Sequence, residues 1–244
     1  MPVLFGNTIC KEFRRETGET VKALDGVSIQ AEHGTLTALV GPDGAGKTTL
    51  IRLITGLLTP DSGELKVLDI DVTIDPQQVQ SRIGYMPQIA RLPEHMTAAE
   101  LFELLRSLRG DVTVHEQLVE PFGLEGELSK KLKALSGGTR QKVNAVAAFL
   151  FSPELYVLDE PTAGLDPVSA GILKARILAE RAQGRTVLLT SLVMSEIDEL
   201  ADHVIYLADG QVQYTGSVLA LKRDMGHVQL ERAIAELMLR GRAA

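Results

Sequence analysis

The sequence predicts an α/β fold built on a parallel sheet, with a small antiparallel β subdomain at the N-terminus and an α-helical subdomain inserted in the middle. Three observations predict it. Residues 35–40 form an apolar run that leads through a glycine-rich loop into a helical pattern, the beginning of a strand-to-helix unit. Far down the chain a second apolar run, Leu155-Tyr156-Val157-Leu158, ends in Asp159-Glu160, the pattern of a fully buried strand with an exposed acidic end. Between them, from about residue 89 to 152, the hydrophobic period is helical.

The elements follow in order. Residues 3–9 and 20–30 mix apolar and polar positions as antiparallel strands do, around a charged turn at Arg14-Arg15-Glu16-Thr17-Gly18-Glu19. Strand 35–40 and helix 46–56 come next, then a turn at Thr59-Pro60-Asp61-Ser62-Gly63, strand 64–68, and strand Ile83-Gly84-Tyr85-Met86, which delivers Gln88 at its end. In the helical stretch Thr97 and Glu100 have the spacing of a capping box, and Leu101, Leu104, Leu105 and Leu108 recur at helical spacing as core positions. A helix over 136–150 closes this subdomain. Strand 155–158, helix 167–183, strand 186–190 and helix 194–200 restore the strand–helix alternation. Residues 204–207 and 212–214, joined through Asp209-Gly210, read as a closing hairpin. The tail 228–240 carries Leu230, Ile234, Leu237 and Met238 on one face, as a packed terminal helix would.

Composition bounds the function. The 244 residues are enough for one principal domain plus a subdomain. Lys plus Arg total 25 against 32 Asp plus Glu, a net charge of −7 with no long basic run, which disfavours nucleic acid as the main partner. The single cysteine, Cys10, allows no internal disulfide and fits a reducing compartment. The start lacks the basic region and apolar stretch of a signal peptide, and the most apolar later run, 143–151, is too short to span a bilayer and includes Asn144. A soluble chain is expected, so work at a membrane needs a partner. No internal repeat or low-complexity segment stands out.

The chemistry begins at Gly41-Pro42-Asp43-Gly44-Ala45-Gly46-Lys47-Thr48, which satisfies G-x-x-x-x-G-K-[ST] directly after a strand, the context of a phosphate-binding loop and hence of a P-loop NTPase core. Glycines let successive N–H groups turn toward phosphate oxygens. Lys47 reaches the β- and γ-phosphates of ATP, the Thr48 hydroxyl can ligate Mg²⁺, and the following helix adds its positive end. In a parallel sheet strand ends share an edge, so Asp159 comes up beside Thr48 to hold Mg²⁺ through water, and Glu160 is placed to orient or deprotonate the attacking water. Alone, that acid pair could be a solvated turn; the phosphate loop gives it its function.

The run Leu135-Ser136-Gly137-Gly138-Thr139-Arg140-Gln141 resembles the signature sequence of the ATP-binding-cassette (ABC) ATPases. The resemblance covers nearly the whole chain in the family's order: Phe13, the loop 41–48, Gln88, the signature, the acidic strand, and Ala163-Gly164-Leu165-Asp166. It implies that Phe13 stacks on adenine, that Gln88 senses Mg²⁺ and the water, that Thr49 joins the loop in binding nucleotide, and that Asp166 couples two ATP sites. Ser136, Gly137 and Gly138 would meet the γ-phosphate of ATP held by a second, facing cassette, through a hydroxyl, bare N–H groups and a helix end. Thr139 stands where many members carry glutamine.

The resemblance further implies a RecA-like core with its antiparallel subdomain over 1–88 and 153–225, a helical subdomain over 89–152 and a C-terminal helix over 226–244. It implies a dimer of identical or different cassettes, and a membrane permease that faces residues 89–96 and places the chain at the cytoplasmic side of the cell membrane. The stretch 85–94 and the run 135–166 look most like ATPases of exporter-type permeases, similar to the copper-processing subunit of nitrous-oxide reductase maturation. The loop 41–46 is closer to multidrug exporter cassettes.

One position departs from the pattern. Leu192, in Leu188-Leu189-Thr190-Ser191-Leu192, stands where members carry a histidine that bridges the γ-phosphate to the catalytic glutamate, and leucine has no donor for that bond. Loss of one preorganised donor costs about 2.7–4 kcal/mol, roughly a hundred- to a thousandfold in rate. Normal ATP binding with slow or asymmetric hydrolysis is expected, against two alternatives: a nucleotide-gated structural subunit with little hydrolysis, and a soluble ABC ATPase outside transport, which would more usually carry two cassettes or a long coiled-coil insertion. His203 lies outside any motif, and His33, His95, His115 and His227 show no metal-ligand spacing.

Overall fold

The computed structural model describes residues 2–14, 18–109 and 117–241, with 240 and 241 described by their backbone alone. The turn residues Arg15, Glu16 and Thr17, and His115, lie outside the described residues.

The first half of the chain forms β1 (Leu4–Arg14), β2 (Thr20–Ala31), β3 (Leu36–Val40), α1 (Lys47–Ile54), β4 (Ser62–Val67), β5 (Ile70–Asp71), α2 (Pro76–Arg82), β6 (Ile83–Met86) and α3 (Ala98–Arg109). After a short 3₁₀ turn at Leu132–Ala134 come α4 (Gly137–Phe149), β7 (Leu155–Asp159), α5 (Pro167–Ala182), β8 (Thr186–Thr190) and α6 (Met194–Leu200). The chain closes with β9 (His203–Ala208), β10 (Gln211–Ser217), α7 (Val218–Asp224) and α8 (Leu230–Gly241).

Two sheets result. Strands β2, β1, β4 and β5 make a four-stranded sheet in that order, its pairs antiparallel. The six-stranded sheet runs β10-β9-β3-β8-β7-β6; the pairs from β9 to β6 are parallel, and β10 joins the edge antiparallel. Asp209 and Gly210 both take positive φ, 49° and 72°, which suits the tight turn between β9 and β10.

The central strands are buried on both faces, and their two-residue period divides the core in two. Leu36, Ala38, Val40, Tyr156, Leu158, Val187 and Leu189 pack with α3, α4 and α5. Leu39, Leu155, Val157 and Leu188 pack with α1 and the antiparallel sheet. The capping box at α3 is formed: Thr97 N–H donates to Glu100 Oε2 at 2.7 Å and Glu100 N–H donates to Thr97 Oγ1 at 3.1 Å. In α8 Leu230, Ala233 and Ile234 are buried and Leu237 and Met238 lean on the same core.

Three expectations need correction. The buried stripe of α3 is Ala98, Leu101 and Phe102 with Leu105 beside it, whereas Leu104 is 40 % and Leu108 73 % exposed; the helix faces its core about one residue away from the leucine stripe, because Phe102 supplies the larger apolar surface. Among the described residues of 89–152, helix is confined to α3, the 3₁₀ turn and α4, with turns over 117–123 and 125–129. Helix α2 was not expected, though its start is marked: the Asp75 carboxylate accepts from Gln78 N–H at 2.9 Å and Pro76 occupies the first turn.

Candidate active site

Strands β3, β6, β7 and β8 run parallel, so their carboxyl ends share one edge and four loops leave from it. The register aligns Leu39 with Thr190, Met86 with Leu158, and Asp159 with Thr190. A cleft of about 350 Å³ opens there, floored by residues 43–49 and walled by Gln88, Asp159, Glu160 and Leu192 on one side and by Val21, Lys22 and Ala23 of β2 on the other.

The floor has the conformation only its glycines permit. Gly46 turns at φ 103° directly before α1, and a Cβ there would lie 2.4 Å from the Ala23 carbonyl oxygen; at Gly41 it would lie 2.0 Å from the Leu207 carbonyl oxygen. Backbone on both sides leaves these positions no room to relax. The Lys47 ammonium donates to the carbonyl oxygens of Gly41 at 2.6 Å and Pro42 at 2.9 Å, so the lysine stands within the loop it follows. Helix α1 has no side-chain cap at its start, which leaves its first N–H groups facing the cleft.

The acidic wall is organised by Thr190. Its hydroxyl donates to Asp159 Oδ1 at 2.6 Å and accepts the Glu160 N–H at 2.9 Å. Burial pushes the Asp159 carboxyl up, opposed by the Thr190 hydroxyl and the Lys47 ammonium. Glu160 sits at φ 47°, a left-handed conformation that costs a non-glycine residue about 1–3 kcal/mol. Its carboxylate accepts from Gln88 Nε2 at 2.9 Å. Leu192 is 57 % exposed on the same wall. Lys47, Thr48, Thr49, Gln88, Asp159 and Glu160, widely spaced in sequence, thus meet in one cleft.

Other residues singled out in the sequence stand apart from it. Phe13, 39 % exposed, lies across β1–β2 from Val21 of the cleft wall, with the Lys11 ammonium 5.8 Å from its ring. Gly41 is backed against Leu207, and Pro42 borders a second cavity of about 390 Å³ walled by Tyr206, Ala208, Leu237 and Met238. Ser136 caps α4 by accepting from Thr139 N–H at 3.1 Å, and a Cβ on Gly138 would lie 3.2 Å from the Gly164 carbonyl oxygen, which brings the signature segment against the turn before Asp166. Asp166 caps α5 through Ser169 N–H at 2.9 Å and pairs with Lys142 of α4 at 3.3 Å. The Ser169 hydroxyl and N–H, with Lys142, hold its carboxyl well below the usual carboxylate range. His203 is exposed and pairs in register with Thr37, at the opposite edge of the sheet from the loop.

Thr190, Ser191, Thr162 and Glu196 were not picked out as site residues in the sequence. The available signal was position: a hydroxyl that ends the apolar run 187–189, beside a strand that ends in acids.

No helix of the described residues is long and apolar enough to cross a membrane. Residues 24–163 match the sequence profile of the family described as ABC transporter. The chain is 35 % identical over 231 residues to the daunorubicin/doxorubicin resistance ATP-binding protein DrrA of Streptomyces peucetius, covering 89 % of this chain and 70 % of that protein. It is 32 % identical to the ABC transporter ATP-binding protein NatA of Bacillus subtilis (strain 168), covering 96 % and 98 %. Among solved structures it is similar to an ATP-binding subunit of an ABC transporter, with a TM-score of 0.89 and 28 % identity over 97 % of this chain and 99 % of that one.

Proposed function

The chain belongs to the ABC transporter family, and from that premise we propose that it binds Mg·ATP in the cleft above the phosphate loop and hydrolyses it to drive a membrane permease of exporter type. The observation that carries the reading is the convergence of Lys47, Thr48, Gln88, Asp159 and Glu160 on one cleft.

In this reading residues 41–49 bind the phosphates, with Lys47 neutralising charge on the terminal pair, and Phe13 stacks on the base at the outer end of the β2 wall. The Thr48 hydroxyl, the Asp159 carboxylate and the Gln88 amide oxygen are the hard oxygen donors that Mg²⁺ takes, and the Gln88 nitrogen is already directed to Glu160. Bound there, Mg²⁺ would offset phosphate charge as it develops. Glu160 orients the attacking water or accepts its proton, and Gln88 holds that carboxylate in place.

Ser136, Gly137 and Gly138 lie outside the chain's own cleft, so the site is incomplete in one copy. We propose that a second cassette supplies its signature segment across the interface, with Asp166 coupling the two sites, in a dimer of identical or different chains. The segment 89–96, with Ile89 77 % exposed and Ala90, Arg91, Leu92 and Glu94 lining an open groove, is the surface assigned to the permease. In the same proposal the subunit sits at the cytoplasmic face of the cell membrane. The division into a nucleotide-binding core over 1–88 and 153–225, a helical subdomain over 89–152 and a C-terminal helix over 226–244 belongs to the same proposal.

Leu192 brings an apolar side chain to the wall that carries Glu160, and we assign slow or asymmetric hydrolysis to it. A second reading, a nucleotide-gated subunit that hydrolyses little, draws on the same leucine; the paired Glu160 and Gln88 favour turnover. Calorimetry tests the whole: Mg·ATP uptake by the wild-type chain, lost in Lys47→Ala, is expected. Absence of uptake, or uptake untouched by Lys47→Ala, overturns it.

A further inference from the structure

The two loops that follow β7 and β8 are joined by one carboxylate that belongs to neither. Glu196, in the first turn of α6, accepts at Oε2 both the Thr162 hydroxyl at 2.8 Å and the Ser191 hydroxyl at 3.1 Å. Thr162 follows Glu160 in the turn that leads to Asp166, and that turn closes on itself through Ala163 N–H to Glu160 O at 3.1 Å and Leu165 N–H to Thr162 O at 3.1 Å. Ser191, 7 % exposed, precedes Leu192 and also accepts the Val193 N–H at 3.0 Å. A hydroxyl has one proton, so Ser191 gives its proton to Glu196 and uses its oxygen for Val193, which fixes the backbone on both sides of Leu192.

We propose that Glu196 is a positioning residue for the reaction: its carboxylate clamps the Glu160–Asp166 turn to the Leu192 loop. This rests on the ATPase reading above. Leu192 has no polar group with which to anchor its own loop, so the geometry of that wall depends on the residues around it. One oxygen shared by two loops sets their separation directly. Thr190 locks the base of the same wall, and Glu196 locks its rim.

The test compares Glu196→Ala, Glu196→Gln, Thr162→Val and the Glu196→Ala/Thr162→Val pair in the full-length chain. Glu196→Ala is expected to lower kcat at saturating Mg·ATP by about tenfold or more, toward the roughly hundredfold scale of a mispositioned reacting group, while KM and the calorimetric Kd stay within about twofold. Glu196→Gln keeps an acceptor oxygen and recovers most of the loss. Thr162→Val added to Glu196→Ala costs little more, because the bond is already gone. Unchanged kcat in Glu196→Ala, an equal fall in nucleotide affinity, or a Gln variant as impaired as Ala overturns the proposal. If the wild-type chain binds Mg·ATP without turnover, the ATPase reading falls instead. The clamp is then decided by Mg·ATP-driven self-association in sedimentation: Glu196→Ala weakens it about fivefold or more if the clamp shapes the rim, and unchanged association overturns it.

Discussion

Thr190 stands opposite Asp159 in the parallel pair of β7 and β8, and its hydroxyl both donates to the Asp159 carboxylate at 2.6 Å and accepts the Glu160 N–H at 2.9 Å. One fully buried side chain therefore aligns both acids of the cleft.

That relationship predicts the effect of removing the hydroxyl. Thr190→Val keeps the shape but leaves the Glu160 N–H without its acceptor and Asp159 without its donor, a cost of about 1–3 kcal/mol. Thr190→Ser keeps both bonds. Urea denaturation should rank Ser close to wild type and Val well below it, and equal midpoints for the two would show that the hydroxyl does not hold the wall.

Leu192→His restores a donor beside Glu160. Turnover in the assembled complex is expected to rise by about a hundredfold, the scale of one transition-state hydrogen bond, with Mg·ATP affinity nearly constant. No gain would mean that the leucine does not limit the reaction.

Gly41→Ala drives a Cβ to 2.0 Å from the Leu207 carbonyl oxygen, and neither backbone can yield without moving β9 or the loop. A loss of about 2–3 kcal/mol is expected from overpacking against main chain, together with loss of Mg·ATP uptake. Wild-type stability in thermal unfolding would contradict the close approach.

Behind β7, Glu180 is 1 % exposed and pairs with Arg176 at 2.5 Å. Glu180→Ala takes its carboxylate from Arg176, which is partly buried and keeps its bond to Gln117, and should cost about 1–3 kcal/mol. Replacing the pair together by Met and Leu should cost less than that single change; a costlier double variant in chemical denaturation would refute the account.

Asp166 gives a pH signature. Its carboxyl is held below the usual range in the folded chain, so the unfolded chain takes up the proton first as acid is added. Its contribution is complete above the unfolded value of about 3.9 and fades as pH falls from there through the depressed folded value. Asp166→Asn cannot titrate, so its urea midpoint should decline less steeply than wild type below about pH 4. Parallel declines would exclude the Asp166 contribution.

The cleft was legible where residues lie on the chain ends of apolar runs. The loop 41–48 follows a strand, Asp159 and Glu160 end one, Gln88 follows another, and parallel pairing brings such ends to one edge. In α3 the helical spacing of the leucines finds Leu101 and Leu105 but not the exact face, because spacing alone does not say which way the larger Phe102 turns. Thr190, Thr162, Ser191 and Glu196 were illegible for a related reason: each hydroxyl is ordinary in its own segment, and its partner lies 5 to 34 positions away.

What the sequence alone determined is the set of chemical groups and the strand or helix end on which each stands, because backbone conformation and hydrophobic period are local properties. Which hydroxyl meets which carboxylate, which helix face is buried and which glycines touch foreign backbone were decided only when the helices and the antiparallel sheet packed on the two faces of the six-stranded sheet. Those relationships are distances between segments remote in the chain, and only packing sets them.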